Sequence, residues 1–134
     1  IELINLGHVS DEERKKLKNK SYVKILQPIP RVKALEFASK CDISLLIQHS
    51  DDRSNVTIPY KTYDYLNLKN HTLALLNSDE LTKLIIHYGH TAIPLDDVSK
   101  ISQYLLDIKS NKVKLGNANN IDYVTQANCL VDII

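Results

Sequence analysis

The sequence has no methionine, two cysteines, no long apolar run and no excess of either charge sign. Each shortage excludes something. A membrane-spanning helix needs about 20 consecutive apolar residues, and nothing here approaches that. Lys and Arg number 17 against 16 Asp and Glu, a net charge of +1. That balance gives no bulk attraction for nucleic acid or an anionic membrane, so an anionic ligand must be held by local geometry. Cys41 and Cys129 stand far apart without a CxxC or a histidine at ligand spacing. They read as reduced, buried thiols of a cytoplasmic protein. With no methionine and an opening of "IELINLG", Ile1 is expected not to be the natural start, and the chain to be a domain of a larger protein. Neither a signal or transit pattern nor an internal repeat or low-complexity tract is present.

What is there suits one α/β domain. The 134 residues, 43% hydrophobic and 25% charged, support one core. Short β-branched runs of strand length recur: "IELINL", "YVKIL", "ISLLIQ", "TLALLN" and "TAIPL". Helical segments lie between them, and that alternation predicts a mainly parallel sheet of about five strands covered by helices on both faces, a Rossmann-like three-layer sandwich.

The helix signals place boundaries. Ser10 and Glu13 have capping-box spacing before "ERKKLKN", a helix almost without an apolar face that belongs on the rim. Arg31 to Cys41 carries a stripe of Val32, Leu35, Ala38 and Cys41. Ser78 starts a helix with Asp79 and Glu80 in its first turn, Leu81, Leu84, Ile85 and Tyr88 inside, and Gly89 at its end. Asp96 or Asp97 caps a further helix with Val98, Ile101, Leu105 and Ile108 on one side. "KSNKVKLGNANN" reads as a polar connection, and "IDYVTQANCLVDII" as a terminal helix with Ile121, Val124, Val131 and Ile134 on a common face.

The candidate site follows from the fold class. Open parallel sheets bind ligands beyond the carboxyl ends of their strands. The longest polar loop, "HSDDRSNVTIPYK", follows "ISLLIQ" and ends at a helix start whose free amides suit a phosphate. Pro59 presets the first turn. Lys61 adds a point charge, and Asp64, one turn on from Tyr60 and Lys61, can accept hydrogen bonds from vicinal hydroxyls. Phosphate at the helix start and hydroxyls one turn deeper describe a nucleotide. A solvated helix with idle Lys and Asp is the alternative that spacing alone leaves open.

The stretch "CDISLLIQHSDDRSNVTIPYKTYDYLNLKNHTLALL" resembles the donor-binding region of retaining glycosyltransferases of the GT-B fold, and "YVKILQPIPRVKALEFASKC" is similar to the segment that precedes it there. The likeness covers roughly Ile1 to Asp107. It implies that backbone around Thr57, Ile58, Tyr60 and Lys61 holds a donor diphosphate, that Asp64 binds ribose, and that main chain at Ile29 meets the base. It implies a hexosyltransferase using a nucleoside diphosphate sugar, without a cofactor or metal, in bacterial surface polysaccharide synthesis. The acceptor domain would lie N-terminal to this chain, leaving the fragment inactive alone, and the complete protein would sit in the cytoplasm or at the inner face of the membrane. Departures stand out. Asp64 is a methylene shorter than the family's glutamate, Val56 stands where a second glutamate is usual, Gln27 replaces a common glycine, and Lys69 and His71 replace a Gly-x-Pro pattern. No catalytic residue is assigned. The likeness begins at the family's second strand, so the central first strand is lacking and a gap, a rearranged sheet or self-association is expected.

Other candidates read more plainly. His87 and His90 form a surface pair at a helix end, Asp51 and Asp52 a solvated loop pair, and Tyr63 and Leu66 the core side of the tyrosine-rich helix. Two further classes stay open: a noncatalytic α/β binding module, and a receiver-like domain, which wants acids that "INLGHVS" lacks.

Overall fold

The computed structural model describes residues 1–48, 58–68 and 70–115. They form β1 (Leu3–Leu6), α1 (Asp11–Leu17), β2 (Val23–Leu26), α2 (Arg31–Ala38), β3 (Ile43–Ile47), α3 (Tyr60–Leu66), β4 (His71–Leu75), α4 (Asp79–His87), β5 (Thr91–Ile93) and α5 (Val98–Lys109). The order is α/β throughout and every strand pair is parallel. The sheet is smaller than the expected five strands: β1–β2 is one sheet and β3–β4–β5 another. No described strand joins the two. Contacts divide the chain into two compact units, Ile1–Phe37 and the part from Ala38 onward.

In the first unit, Leu3 pairs with Val23 and Leu6 with Leu26. Helix α1 is held locally. Ser10 Oγ accepts from the Glu13 amide at 3.3 Å while the Glu13 carboxylate accepts from the Ser10 amide at 3.0 Å, the predicted capping box. The Ser10 hydroxyl, which donates to the Glu13 carboxylate at 2.6 Å, and then the Ser10 amide hold that carboxyl below its ordinary range. No residue of α1 is buried, as its composition predicts. The stripe proposed for α2 is displaced: Val32 is 77% exposed, and Ala34, Leu35, Phe37 and Ala38 are the half-buried positions. The helix stops at Ala38, so the spacing that reached on to Cys41 does not lie on one continuous face.

The second unit has three layers. All five residues of β4 are buried because it lies between β3 and β5 and is covered on both faces. On one face Leu46 and Ala74 pack with Leu66 of α3 and Leu81 and Ile85 of α4. On the other, Leu73, Leu75 and Ile93 meet Ile101, Tyr104 and Leu105 of α5. Residues 73 to 76 therefore alternate between two cores, the period-two pattern of a strand.

The helix ends follow their residues. Ser78 Oγ accepts from the Leu81 amide at 3.4 Å, and Leu81 and Ile85 are buried, with Leu84 and Tyr88 packed alongside. Gly89, at φ 78°, closes α4 in a conformation that costs other residues more: its amide donates to the Ile86 carbonyl and that of His90 to Ile85. Asp97 caps α5 through the Lys100 amide at 3.0 Å, and its carboxyl is held low by that bond. Val98 is exposed rather than inward, and Tyr104 joins Ile101 and Leu105 in its place. Asn70 joins the unit's start to the sheet, with Nδ2 at 3.0 Å from the Ala38 carbonyl and 2.9 Å from Ser44 Oγ. Among the described residues no helix is long and apolar enough to cross a membrane. The proposed terminal helix, Cys129, and Asp51 and Asp52 lie outside the described residues.

Candidate functional site

The carboxyl ends of β3, β4 and β5 are tied by amides that the sequence reading passed over. The Gln48 amide donates to the Leu75 carbonyl at 3.0 Å, and Gln48 Oε1 accepts from the Asn77 amide at 3.4 Å. Asn77 Oδ1 in turn accepts from the Leu95 amide at 3.0 Å. Gln48 is buried and Asn77 exposed, so a polar ladder crosses the three strand ends and passes from interior to surface. A signal was present: "ISLLIQ" and "TLALLN" each end an apolar run in a carboxamide. Such a side chain can accept an amide where the strand ladder stops.

Helix α3 belongs to this unit, and its Leu66 packs in the same cluster as Leu46 of β3. Pro59 precedes its first residue, with no side-chain cap. The Thr62 amide turns back to the Pro59 carbonyl at 2.9 Å, leaving the Tyr60 and Lys61 amides at the start of the helix. Tyr60 is 92% exposed, and Ile58 and Lys61 are also exposed. Asp64, one turn deeper, is half-buried. Its charge is felt by Tyr65, whose hydroxyl is pushed up first by burial and then by Asp64 and Cys41.

The predicted site residues fall on different parts of the chain. Ile58, Tyr60, Lys61 and Asp64 share the opening turns of α3. Thr57 lies outside the described residues. Ile29 belongs to the first unit, exposed between β2 and α2. The helix's inner face also differs from expectation. Thr62 and Leu66 are fully buried, whereas Tyr63 is 41% exposed. A spacing of four keeps Thr62 over Leu66, while Tyr63 is turned about 100° away from Thr62.

Two further corrections concern titratable groups. His87 is exposed and rests edge-on against Tyr88, but His90 is buried, so the two are not a surface pair. Cys41 is half-buried, and burial with the nearby Asp42 pushes its thiol pKa up. It is a poor nucleophile in that setting. In the first unit, an open depression of about 270 Å³ at the end of β1 is lined by Asn5, His8, Val9, Glu13, Lys16 and Leu17. It includes none of the predicted site residues, and Glu13 there is already engaged in the capping box.

No family model, curated protein or solved structure matches the chain.

Proposed function

We propose that the chain is the donor-binding domain of a GT-B type glycosyltransferase, taking a nucleoside diphosphate sugar. The observation that carries this reading is α3: an open helix start in a parallel three-layer unit, with Lys61 in its first turn and Asp64 one turn deeper. The Tyr60 and Lys61 amides would face the diphosphate, and Lys61 Nζ would neutralise charge that grows on it as the sugar departs. Asp64 would accept from the ribose hydroxyls. The shorter side chain weakens that contact, since a hydrogen bond to a charged group contributes about 1.5–3 kcal/mol when well made. Acceptor contacts would come from another domain, so this chain supplies the donor half of the reaction, placed in the cytoplasm where nucleotide sugars are made.

Calorimetric titration of a protein containing this domain with UDP, GDP and dTDP tests the proposal. Saturable binding of one of them at millimolar concentration or below is expected, and absence of binding by all three defeats it.

A noncatalytic α/β binding module is the second reading. It is favoured by the exposed apolar and aromatic side chains of Ile47, Ile58, Tyr60 and Tyr63 at the end of β3 and along α3, which suit protein contact as well as base stacking. Failure of the nucleotide titration would turn attention to it.

A further inference from the structure

At the amino ends of β4 and β5, opposite the end discussed above, four polar side chains meet inside the fold. His71 opens β4, His90 and Thr91 lead into β5, and Tyr104 reaches in from α5. Both histidines are only 6% exposed. His71 Nε2 lies 2.9 Å from Thr91 Oγ1 and 3.2 Å from the Tyr104 hydroxyl, which are themselves 2.9 Å apart. His90 Nδ1 accepts from the Thr72 amide at 3.1 Å. The two rings stand edge to face with centroids 5.6 Å apart.

Backbone geometry explains the placement. The left-handed Gly89 turns the chain out of α4 and binds the His90 amide to Ile85, and the Leu73–Thr91 pair sets the register just beyond. The His90 ring thus takes the Thr72 amide where the β4–β5 ladder begins.

Hydrogen-bond direction assigns the His90 proton. A nitrogen that accepts from an amide is bare, so His90 carries its proton on Nε2. Around His71, a hydroxyl can donate to Nε2 or Nε2 can donate to a hydroxyl, so these contacts are met in either tautomer. With Nδ1 bare, the His90 ring is neutral. His71 Nδ1 and His90 Nε2 are buried with no protein partner among the described residues. No Asp, Glu, Lys or Arg among those residues bonds or ion-pairs with either ring. The titratable groups that face them are each other and, from α5, Tyr104. From α4, Asp79, Glu80, Lys83 and His87 make no such contact, and β3 contributes no titratable side chain.

We propose that this cluster is an acid-operated latch: proton uptake at His90 Nδ1 sets a donor against the Thr72 amide, frees the amino ends of β4 and β5, and leaves the carboxyl ends tied. The added proton has no carboxylate to compensate it, and a second on His71 would place two cations side by side. Burial, with His71 adding to it, holds His90 at about 4, and burial holds His71 below its ordinary 6.5. The folded pKa values lie below the unfolded one, so the stabilisation by the neutral rings is whole above the unfolded pKa. It is lost as pH falls from there toward the folded values.

Amide exchange of the 134-residue chain, corrected for intrinsic rates, reads the latch residue by residue. Between pH of about 7.5 and about 5, the Thr72 protection factor is expected to fall about tenfold or more, while those of Gln48 and Leu76 change less than about twofold. His90→Asn keeps an acceptor at the δ position without a titrating ring, and is expected to flatten the Thr72 profile. An unchanged Thr72, an equal fall along all of β4, or a wild-type profile in H90N overturns the proposal. If H90N does not fold, ring ¹⁵N shifts of the wild type at pH of about 5.5 decide: a neutral, Nε2-protonated His90 supports the latch, and an imidazolium there refutes it.

Discussion

The two units use the same grammar of parallel strands and intervening helices, but they are held in different ways. Among the described residues of the first, Val9 is the single buried hydrophobic side chain. Among its described residues the second buries nine, from Leu46 to Ile93, in clusters on both faces of its sheet. The contrast begins in the helices. In α1, "DEERKKL", Leu17 is the one apolar residue, whereas α4, "DELTKLIIH", places Leu81, Leu84 and Ile85 toward the sheet. It is completed by strand position, since β4 is flanked on both sides while, among the described residues, β1 and β2 pair only with each other. The first unit therefore depends on local devices: the capping box, the Lys16–Glu12 pair one turn apart, and the exposed Lys24–Glu2 pair. Such exposed pairs contribute about 0–1 kcal/mol each. The second depends on burial, at roughly 1.5–3 kcal/mol per large apolar side chain.

Leu81→Ala removes a fully buried side chain from the larger cluster. It is expected to cost about 2–5 kcal/mol in chemical denaturation, and a loss below about 1 kcal/mol would mean that the core is not where stability resides. Acid should separate the units by pH. The second unit weakens as pH falls from 6.5 toward the lowered values of His71 and His90. The first keeps its capping box until Glu13, whose pKa lies below 4.5, takes up a proton, because a lowered carboxylate pKa stabilises at higher pH and is lost as pH falls through it. Amide exchange followed across this range should show Thr72, at the amino end of β4, losing protection before α1; the reverse order contradicts the account.

Ser10→Ala removes the cap of α1 and is expected to cost about 1 kcal/mol, confined to the first unit. Raised exchange in α1 with unchanged exchange in α4 is the check. Smallest is Val32→Ser. The side chain is exposed, so the effect on stability should stay within about 0.5 kcal/mol, and a larger loss would show that α2 buries a face against something else.

Much of the second unit was legible in the sequence because its signals are local. Ser78, Asp79, Glu80 and Gly89 mark both ends of α4, and Leu81 and Ile85 are four apart on its inner face. The same holds for Ser10 with Glu13. What was missed depends on partners distant in sequence. Sheet membership is a long-range property, and runs that look alike as strands carry no mark of which sheet they join. Tyr63 and Thr62 both have helical spacing to Leu66, and apolarity favours the tyrosine. Packing against the sheet nevertheless selects the smaller Thr62. His87 and His90 share a helix face only if the helix continues, and Gly89 ends it between them, sending one ring to solvent and the other inside. At the candidate site, the helix start with Pro59, Lys61 and Asp64 was readable. The Gln48–Asn77 ladder was not, because its meaning depends on two strand ends lying side by side.

Lys61→Ala is the sharpest probe of the proposed diphosphate site at the start of α3. With the nucleotide that binds best in calorimetry, the variant is expected to lose roughly tenfold to a hundredfold in affinity for the nucleoside diphosphate and little for the nucleoside alone. Equal losses for both ligands, or no loss for either, would contradict the claim.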